Sequence, residues 1–261
     1  MINIINVEAS LKNFKGAIPF DHCIVDNFFT EYFARKISDE YLDYDSDKWF
    51  CYQNPIEDKK ALNDWNAFPP TTYKSFFRLQ SDEFVQLLSA AVGERLYVDH
   101  GLHGGGWHIH STGGILNPHL DYSIHPKVGL QRRLNIIIYL SKELDPKNHG
   151  GHLGLWGHDP STNRPKSLER EIEPLFNRAV IFDTTQNSWH GMSRPLTQPA
   201  GIYRKSLAIY YLCQPASNAS QVGRALFAPR ENQMNNSEVE EIIRLRSDVD
   251  TSSQVYIAKE K

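Results

Sequence analysis

The spacing of apolar positions changes character near residue 96. Upstream, residues 19–29 (PFDHCIVDNFF) read as a short strand running into a helix start. Thr30 is placed to cap that helix, and Phe33, Ala34, Ile37, Tyr41 and Leu42 fall close to a 3.6-residue period. A second helix is predicted over 81–92, where Phe84, Leu87, Leu88 and Ala91 share a face and Gly93 can end it. Between the two, residues 43–72 are rich in Asp, Asn, Pro and Trp with little period, and are expected to form an extended loop lining a substrate cleft.

From Leu96 onward, short strand-like runs are separated by Gly, Pro, Asn and Asp. They predict strands near 106–111, 117–122, 133–140, 152–156, 170–172, 178–183, 188–192 and 205–212. Short strands without intervening helices argue for an antiparallel sandwich or jelly roll rather than an alternating βαβ fold. After Pro215 the chain turns polar, and 237–246 is expected as a surface helix leading to a frayed tail. The whole, 261 residues, reads as one domain in three parts: a support region over 1–95, a catalytic core over 96–215 and a polar extension over 216–261.

Composition narrows the picture. With 40% hydrophobic and 23% charged residues the chain is of ordinary globular make-up, and a net charge of −3 gives no electrostatic reason to expect nucleic acid or an anionic membrane as partner. The short basic pairs Lys59-Lys60 and Arg132-Arg133 read as solvated faces. Cys23, Cys51 and Cys213 are widely spaced and form no CxxC pair, which fits a reducing, cytoplasmic setting. No apolar run is long enough to span a membrane, and no leader pattern follows Met1.

Histidine supplies the candidate chemistry. Nine of the eleven histidines lie between His100 and His158. Two histidines and a carboxylate on one face of an octahedron are a common ferrous site in oxygen-activating enzymes. In a strand, residues two apart point the same way, so His119 and Asp121 of HLD can address one ion. His190, in NSWHGMSRP, can complete the set from a second strand. The pair alone also fits a buried histidine beside a turn aspartate. Downstream, RKSLAIYYL puts Arg204, Ser206, Ala208 and Tyr210 on one strand face, and a guanidinium buried there calls for an anion, which its planar fork suits when that anion is a carboxylate.

The order HLD, RLNIIIYLS, HGGHLGLW, EIEPLFNRAVIFDTTQNSWHGMSRP and YRKSLAIYYL, over roughly 106–213, resembles the catalytic core of the prolyl-hydroxylase-type iron(II)/2-oxoglutarate-dependent dioxygenases. The resemblance implies a mainly β (α+β) fold: a double-stranded β-helix, the jelly roll of cupin-like proteins, with N-terminal helices packed on it. It implies Fe(II) held by His119, Asp121 and His190, with 2-oxoglutarate and O2 as co-substrates. Arg204 falls where the family grips the distal carboxylate of 2-oxoglutarate, with Ser206 as its hydroxyl partner and Tyr139 at a further co-substrate contact. A tyrosine common in the family nine or ten residues before the first ligand is replaced by His110, which is left to contact the co-substrate; Asn135, on the face of Tyr139, is a second candidate. His125 falls in a loop where relatives place substrate contacts. His108 is expected to support the site or the packing, and His149, His152 and His158 flank the GG-L turn and are expected as loop or supporting groups, not ligands. Trp49 and Trp65 are the tryptophans expected near the cleft.

The implied reaction hydroxylates a C–H bond of a peptidyl residue such as proline, or of a small molecule, with release of succinate and CO2. The retained Asp121 disfavours halogenation, since related halogenases lack that carboxylate. Two other readings share the ligands: a cupin-like hydrolase or isomerase using zinc or manganese, and a metal sensor without catalysis.

Overall fold

Alternation along the later strands sorts side chains onto two opposed faces, and both faces are covered. The structure, a computed structural model, describes residues 1–221 and 223–256. Its elements begin with helix α1 (Ile4–Leu11), strand β1 (His22–Val25), helix α2 (Glu31–Asp39), strands β2 (Phe50–Asn54) and β3 (Glu57–Leu62), and helices α3 (Pro70–Leu79) and α4 (Asp82–Val92). Strands β4 (Tyr97–Val98), β5 (Gly106–His110), β6 (His119–Leu120) and β7 (Gln131–Tyr139) follow, then the short helix α5 (Pro146–His149). The chain continues through β8 (Leu153–Asp159), β9 (Arg164–Ile172), β10 (Ala179–Asp183), β11 (Trp189–Met192) and β12 (Arg204–Cys213) to β13 (Leu226–Phe227) and helix α6 (Ser237–Arg246).

The strands form two antiparallel sheets. The larger runs β1-β10-β7-β12-β5-β3-β2, with β4 also on β12; the smaller runs β13-β6-β11-β8-β9. This is the double-stranded β-helix layout expected from the sequence. On β12, Leu207, Ile209 and Tyr211 join a core with Phe76 and Leu79 of α3 and Phe84 and Leu88 of α4, while Arg204, Ser206, Ala208 and Tyr210 face the cavity between the sheets. On β7, Leu134, Ile136 and Ile138 enter the helix-side core, and Asn135 and Ile137 face the cavity. A smaller core between the sheets, built from Phe20, Tyr139, Leu153, Leu155, Ile172, Val180 and Phe182, closes one side of that cavity.

Several local expectations are corrected. Residues 43–72 are not an extended loop: β2 and β3 form a hairpin that joins the larger sheet through β5, and α3 starts at Pro70. Asn54 builds the turn, its side chain accepting from the backbone N–H groups of Ile56 and Glu57. The charged run EDKKA concealed the strand because its inward positions face a polar cavity rather than a core. α1 and α3 were likewise unanticipated. Ser81 and Gly93 bound α4 as expected, Gly93 at φ 77°. Thr30 precedes α2, but its hydroxyl accepts from the Met1 amino group instead of capping the helix. After α6, Ser252–Val255 form a further turn of helix and Tyr256 packs back on the hairpin, so the expected frayed tail is ordered to that point; residues 257–261 lie outside the described ones. Among the described residues no helix is long and apolar enough to cross a membrane.

Candidate metal and co-substrate site

The short β6 is held on both sides: His119 pairs with His190 of β11 and with Phe227 of β13. That register brings the two imidazoles to 4.3 Å between ring centroids, and Phe227 stacks on His119 at 4.9 Å. Gly191 permits the approach, since a Cβ there would lie 2.6 Å from the Asn117 carbonyl oxygen. Asp121 follows one residue beyond β6, with an oxygen 3.8 Å from Nε2 of His190. One donor atom from each of His119, Asp121 and His190 lies within 4.8 Å of the others.

The backbone settles the tautomers. Nδ1 of His119 is 3.0 Å from the Asn117 carbonyl oxygen and Nδ1 of His190 is 2.9 Å from that of Ser188. A carbonyl only accepts, so each Nδ1 carries the hydrogen and each Nε2 presents a bare lone pair. Burial, foremost, depresses both imidazole pKa values, keeping the rings neutral as metal ligation requires. Burial raises the Asp121 pKa, but its neighbours, the Arg132 guanidinium and the Tyr210 hydroxyl among them, outweigh it and hold the carboxyl below its usual range. Tyr210 donates to Asp121 at 3.1 Å, Arg132 stands 3.6 Å away, and Asn135 donates to its other oxygen at 3.5 Å. A neutral-nitrogen pair with an ionised carboxylate suits Fe(II).

Arg204 occupies the same cavity, of about 340 Å³. Its side chain is buried, its Nε donates to the Gly151 carbonyl at 2.8 Å, and its guanidinium lies 4.8 Å from the centroid of the Tyr139 ring. Among the described residues no carboxylate lies within 4.0 Å of it. Burial lowers its pKa, the signature of a cation lacking an anion on the chain. The HGGH segment serves this placement: a Cβ on Gly151, at φ 76°, would meet Arg204 Cδ at 3.0 Å. Ser206 and His110 line the cavity beside Arg204, and neither ring nitrogen of buried His110 makes a hydrogen bond of normal geometry.

The sequence candidates thus separate. His119, Asp121, His190, Arg204, Ser206, His110 and Asn135 line one cavity, and Tyr139 packs against Arg204. His108, weighed as packing or support, also lines it. His125 does not: it is buried with Nε2 3.5 Å from Asp99, because its loop folds back on β7. Trp49 and Trp65 do not line it either. Trp49 is buried beside Tyr41 and Trp107, and Trp65 donates to the His100 carbonyl at 2.7 Å.

Both basic pairs are corrected too. Arg132 is buried between the rings of Tyr122 and Tyr210, at 3.7 and 3.6 Å, and Arg133 pairs with Asp183. Lys59 faces the cavity, and Lys60 donates to the Tyr44 carbonyl at 2.7 Å. Sequence reasoning had also missed Phe227, Arg224 and Arg246 at this site; for Tyr210, the shared strand face with Arg204 was a usable signal.

Residues 105–212 match the family model of the 2OG-Fe(II) oxygenase superfamily, so this stretch of the chain carries the oxygenase core. Members of that superfamily use Fe(II), 2-oxoglutarate and O2, and His119, Asp121, His190 and Arg204 all fall within the matched stretch. Comparison with curated proteins gives no match. Among solved structures, it is similar to a prolyl hydroxylase from Trichoplax adhaerens crystallised with a hypoxia inducible factor oxygen degradation domain peptide fragment: TM-score 0.56, 17% identity, 79% of this chain and 89% of that one. A prolyl-4-hydroxylase of Pseudomonas putida gives a TM-score of 0.57 at 14% identity over 80% of this chain and 100% of that one. A prolyl 4-hydroxylase of Phytophthora capsici gives 0.53 at 16% identity, covering 95% and 77%. At these identities the likeness is one of fold.

Proposed function

We propose that residues 1–261 form one oxygenase unit that hydroxylates an unactivated C–H bond, and that His119, Asp121 and His190 hold its iron while Arg204, with Ser206, receives the distal carboxylate of 2-oxoglutarate. One observation carries this reading: two neutral histidines with an ionised aspartate, and a buried arginine without a carboxylate partner among the described residues, share a single cavity. Bound there, Fe(II) with 2-oxoglutarate and O2 supplies the oxidation, in which one oxygen atom enters the C–H bond and the other enters succinate as CO2 leaves.

The chain's own residues bind and orient. Arg204 neutralises one end of the co-substrate in a site screened from water, where the attraction exceeds its strength in solution. Tyr139 packs against that guanidinium and limits its swing. Tyr210, Arg132 and Asn135 fix the Asp121 carboxylate, and the Asn117 and Ser188 carbonyls fix the imidazoles, which is the support a metal centre draws from the groups behind its ligands. His110 and Asn135, each with a buried polar atom lacking a hydrogen bond, are assigned to co-substrate contact.

The test is succinate formation from 2-oxoglutarate by iron-loaded protein in air. Arg204→Met is expected to raise the 2-oxoglutarate KM by about 10²-fold, in line with the loss of a buried charge-assisted pair. The hydrolase or isomerase reading gives Arg204 no task, so unchanged activity in Arg204→Met would favour it.

A further inference from the structure

The cavity is richer in positive charge than iron and 2-oxoglutarate call for. Five cationic side chains line it, Lys59, Arg132, Arg204, Arg224 and Arg246, against two carboxylates, Glu57 and Asp121. Arg246 is matched by Glu57 at 2.8 Å and Arg132 by Asp121 at 3.6 Å. On the function proposed above, which this inference assumes, the charges of Fe(II) and of the 2-oxoglutarate dianion cancel, and Arg204 faces the co-substrate. Among the described residues, Lys59 and Arg224 have no carboxylate within 4.0 Å.

Lys59 is the better defined of the two. It sits on β3 on the same face as Glu57 and Ala61, yet it has no carboxylate within 4.0 Å among the described residues; Glu57 attracts it from farther off, its Oε1 taken by Arg246 and by the Tyr256 hydroxyl at 2.6 Å and its Oε2 without a hydrogen bond. At closer range the Lys59 ammonium meets the Tyr52 ring, 5.0 Å to the centroid, a contact that offsets little of the loss of water. β3 pairs Ala61 with His108, and β5 pairs His110 with Arg204. Continuing that register puts Lys59 in one row with His110 and Arg204, two strands and about 10 Å from Arg204 at the usual strand spacing. His108 and His110 between them stay neutral, their pKa values lowered by burial first and then by the charges of Lys59 and Arg204. Arg224, just before β13, lies on the smaller-sheet wall, its Nε buried without a hydrogen bond.

We propose that the primary substrate of this enzyme is a small organic acid or free amino acid whose carboxylate is received by Lys59, with Arg224 on the opposite wall adding to the attraction. A proline inside a peptide has no such charge beside its ring. A buried or half-buried cation without a partner is unfavourable, and a carboxylate placed there is held by a charge-assisted hydrogen bond. The distance from Arg204 separates this carboxylate from the one on the co-substrate.

The test uses whole protein loaded anaerobically with Fe(II) and 2-oxoglutarate, and reads the paramagnetic relaxation of butyrate and of its uncharged isostere butyramide by NMR. Butyrate is expected to be relaxed about tenfold more than butyramide, the scale of one hydrogen bond to a charged group. Lys59→Met should bring butyrate down to the butyramide level, and Lys59→Arg should restore most of the difference. The 2-oxoglutarate dissociation constant, from the visible charge-transfer band, should change less than about twofold in Lys59→Met, since a shared anion site would shift it at least tenfold. Equal relaxation of the two probes in the unmodified protein would overturn the proposal whatever the variants do. So would butyrate relaxation that survives Lys59→Met, or butyrate bleaching the charge-transfer band by displacing 2-oxoglutarate. Absence of that band from the unmodified protein would overturn the iron reading itself, a separate failure.

Discussion

His119, His190 and His125 are all buried, and their backbone neighbours give them opposite tautomers. The first two donate from Nδ1 to a carbonyl two residues earlier and leave Nε2 free, whereas His125 accepts at Nδ1 from the Lys127 N–H at 3.2 Å and turns Nε2 to Asp99. His22 shares the Nδ1 arrangement, but its Nε2 is taken by Arg170 at 2.8 Å. His125→Ala is therefore expected to keep full iron binding while losing about 1–3 kcal/mol of stability, the range for removing a buried polar partner. Denaturant unfolding together with an iron titration checks both halves. The grouping of His119, Asp121 and His190, the residues proposed to hold iron, was legible from HLD and NSWHG, and the burial of Arg204 from its strand. Lys59 and Arg132 were not, because a charged residue in a run reads the same whether it points to solvent or into a polar cavity.

At the level of elements, the site depends on how closely β6 and β11 approach. Gly191 lies between His190 and Met192, where a Cβ would meet the Asn117 and Leu116 carbonyl oxygens at 2.6 and 2.9 Å. Gly191→Ala should push β6 away from β11, separate His119 from His190 and weaken iron binding by about 10- to 100-fold, the usual consequence of disturbing the groups that orient metal ligands. An iron competition titration with a chromogenic chelator measures it. The later strands were readable because β7, β10 and β12 each carry an apolar row into the helix-side core: Leu134, Ile136 and Ile138, then Ala179 and Ile181, then Leu207, Ile209 and Tyr211. The β2-β3 hairpin was not, because its inner face carries Glu57, Lys59 and Asn63 toward the cavity and so lacks the apolar alternation that marks a half-buried strand.

Over the whole molecule, the polar cavity makes stability depend on pH. Burial first, then Lys59 and Arg204, push the pKa of His108 down to about 3, and His110 is likewise well below its ordinary value. An unfolded chain takes up protons on these histidines below about pH 6.5 while the folded chain refuses them, so stability falls as pH drops through that range. The metal-free protein should lose on the order of 1 kcal/mol per pH unit through His108 between about pH 6 and 4. Urea unfolding at several pH values measures the slope, and His108→Gln should flatten it; an equal slope in the variant would assign the effect elsewhere. The jelly-roll class was legible from strand texture, whereas the covering of the cavity by α6 and Tyr256, which reach Glu57 from the far end of the chain, depends on contacts no local pattern encodes.

On this account His119, Asp121 and His190 hold iron beside a 2-oxoglutarate site built on Arg204. Anaerobic titration of the metal-free protein with Fe(II) in the presence of 2-oxoglutarate, followed by visible absorption, tests it most directly. A metal-to-ligand charge-transfer band that saturates at one iron per chain and is absent from folded His119→Ala and His190→Ala is the predicted result. No band from the folded unmodified protein, or an undiminished band in either variant, would contradict it.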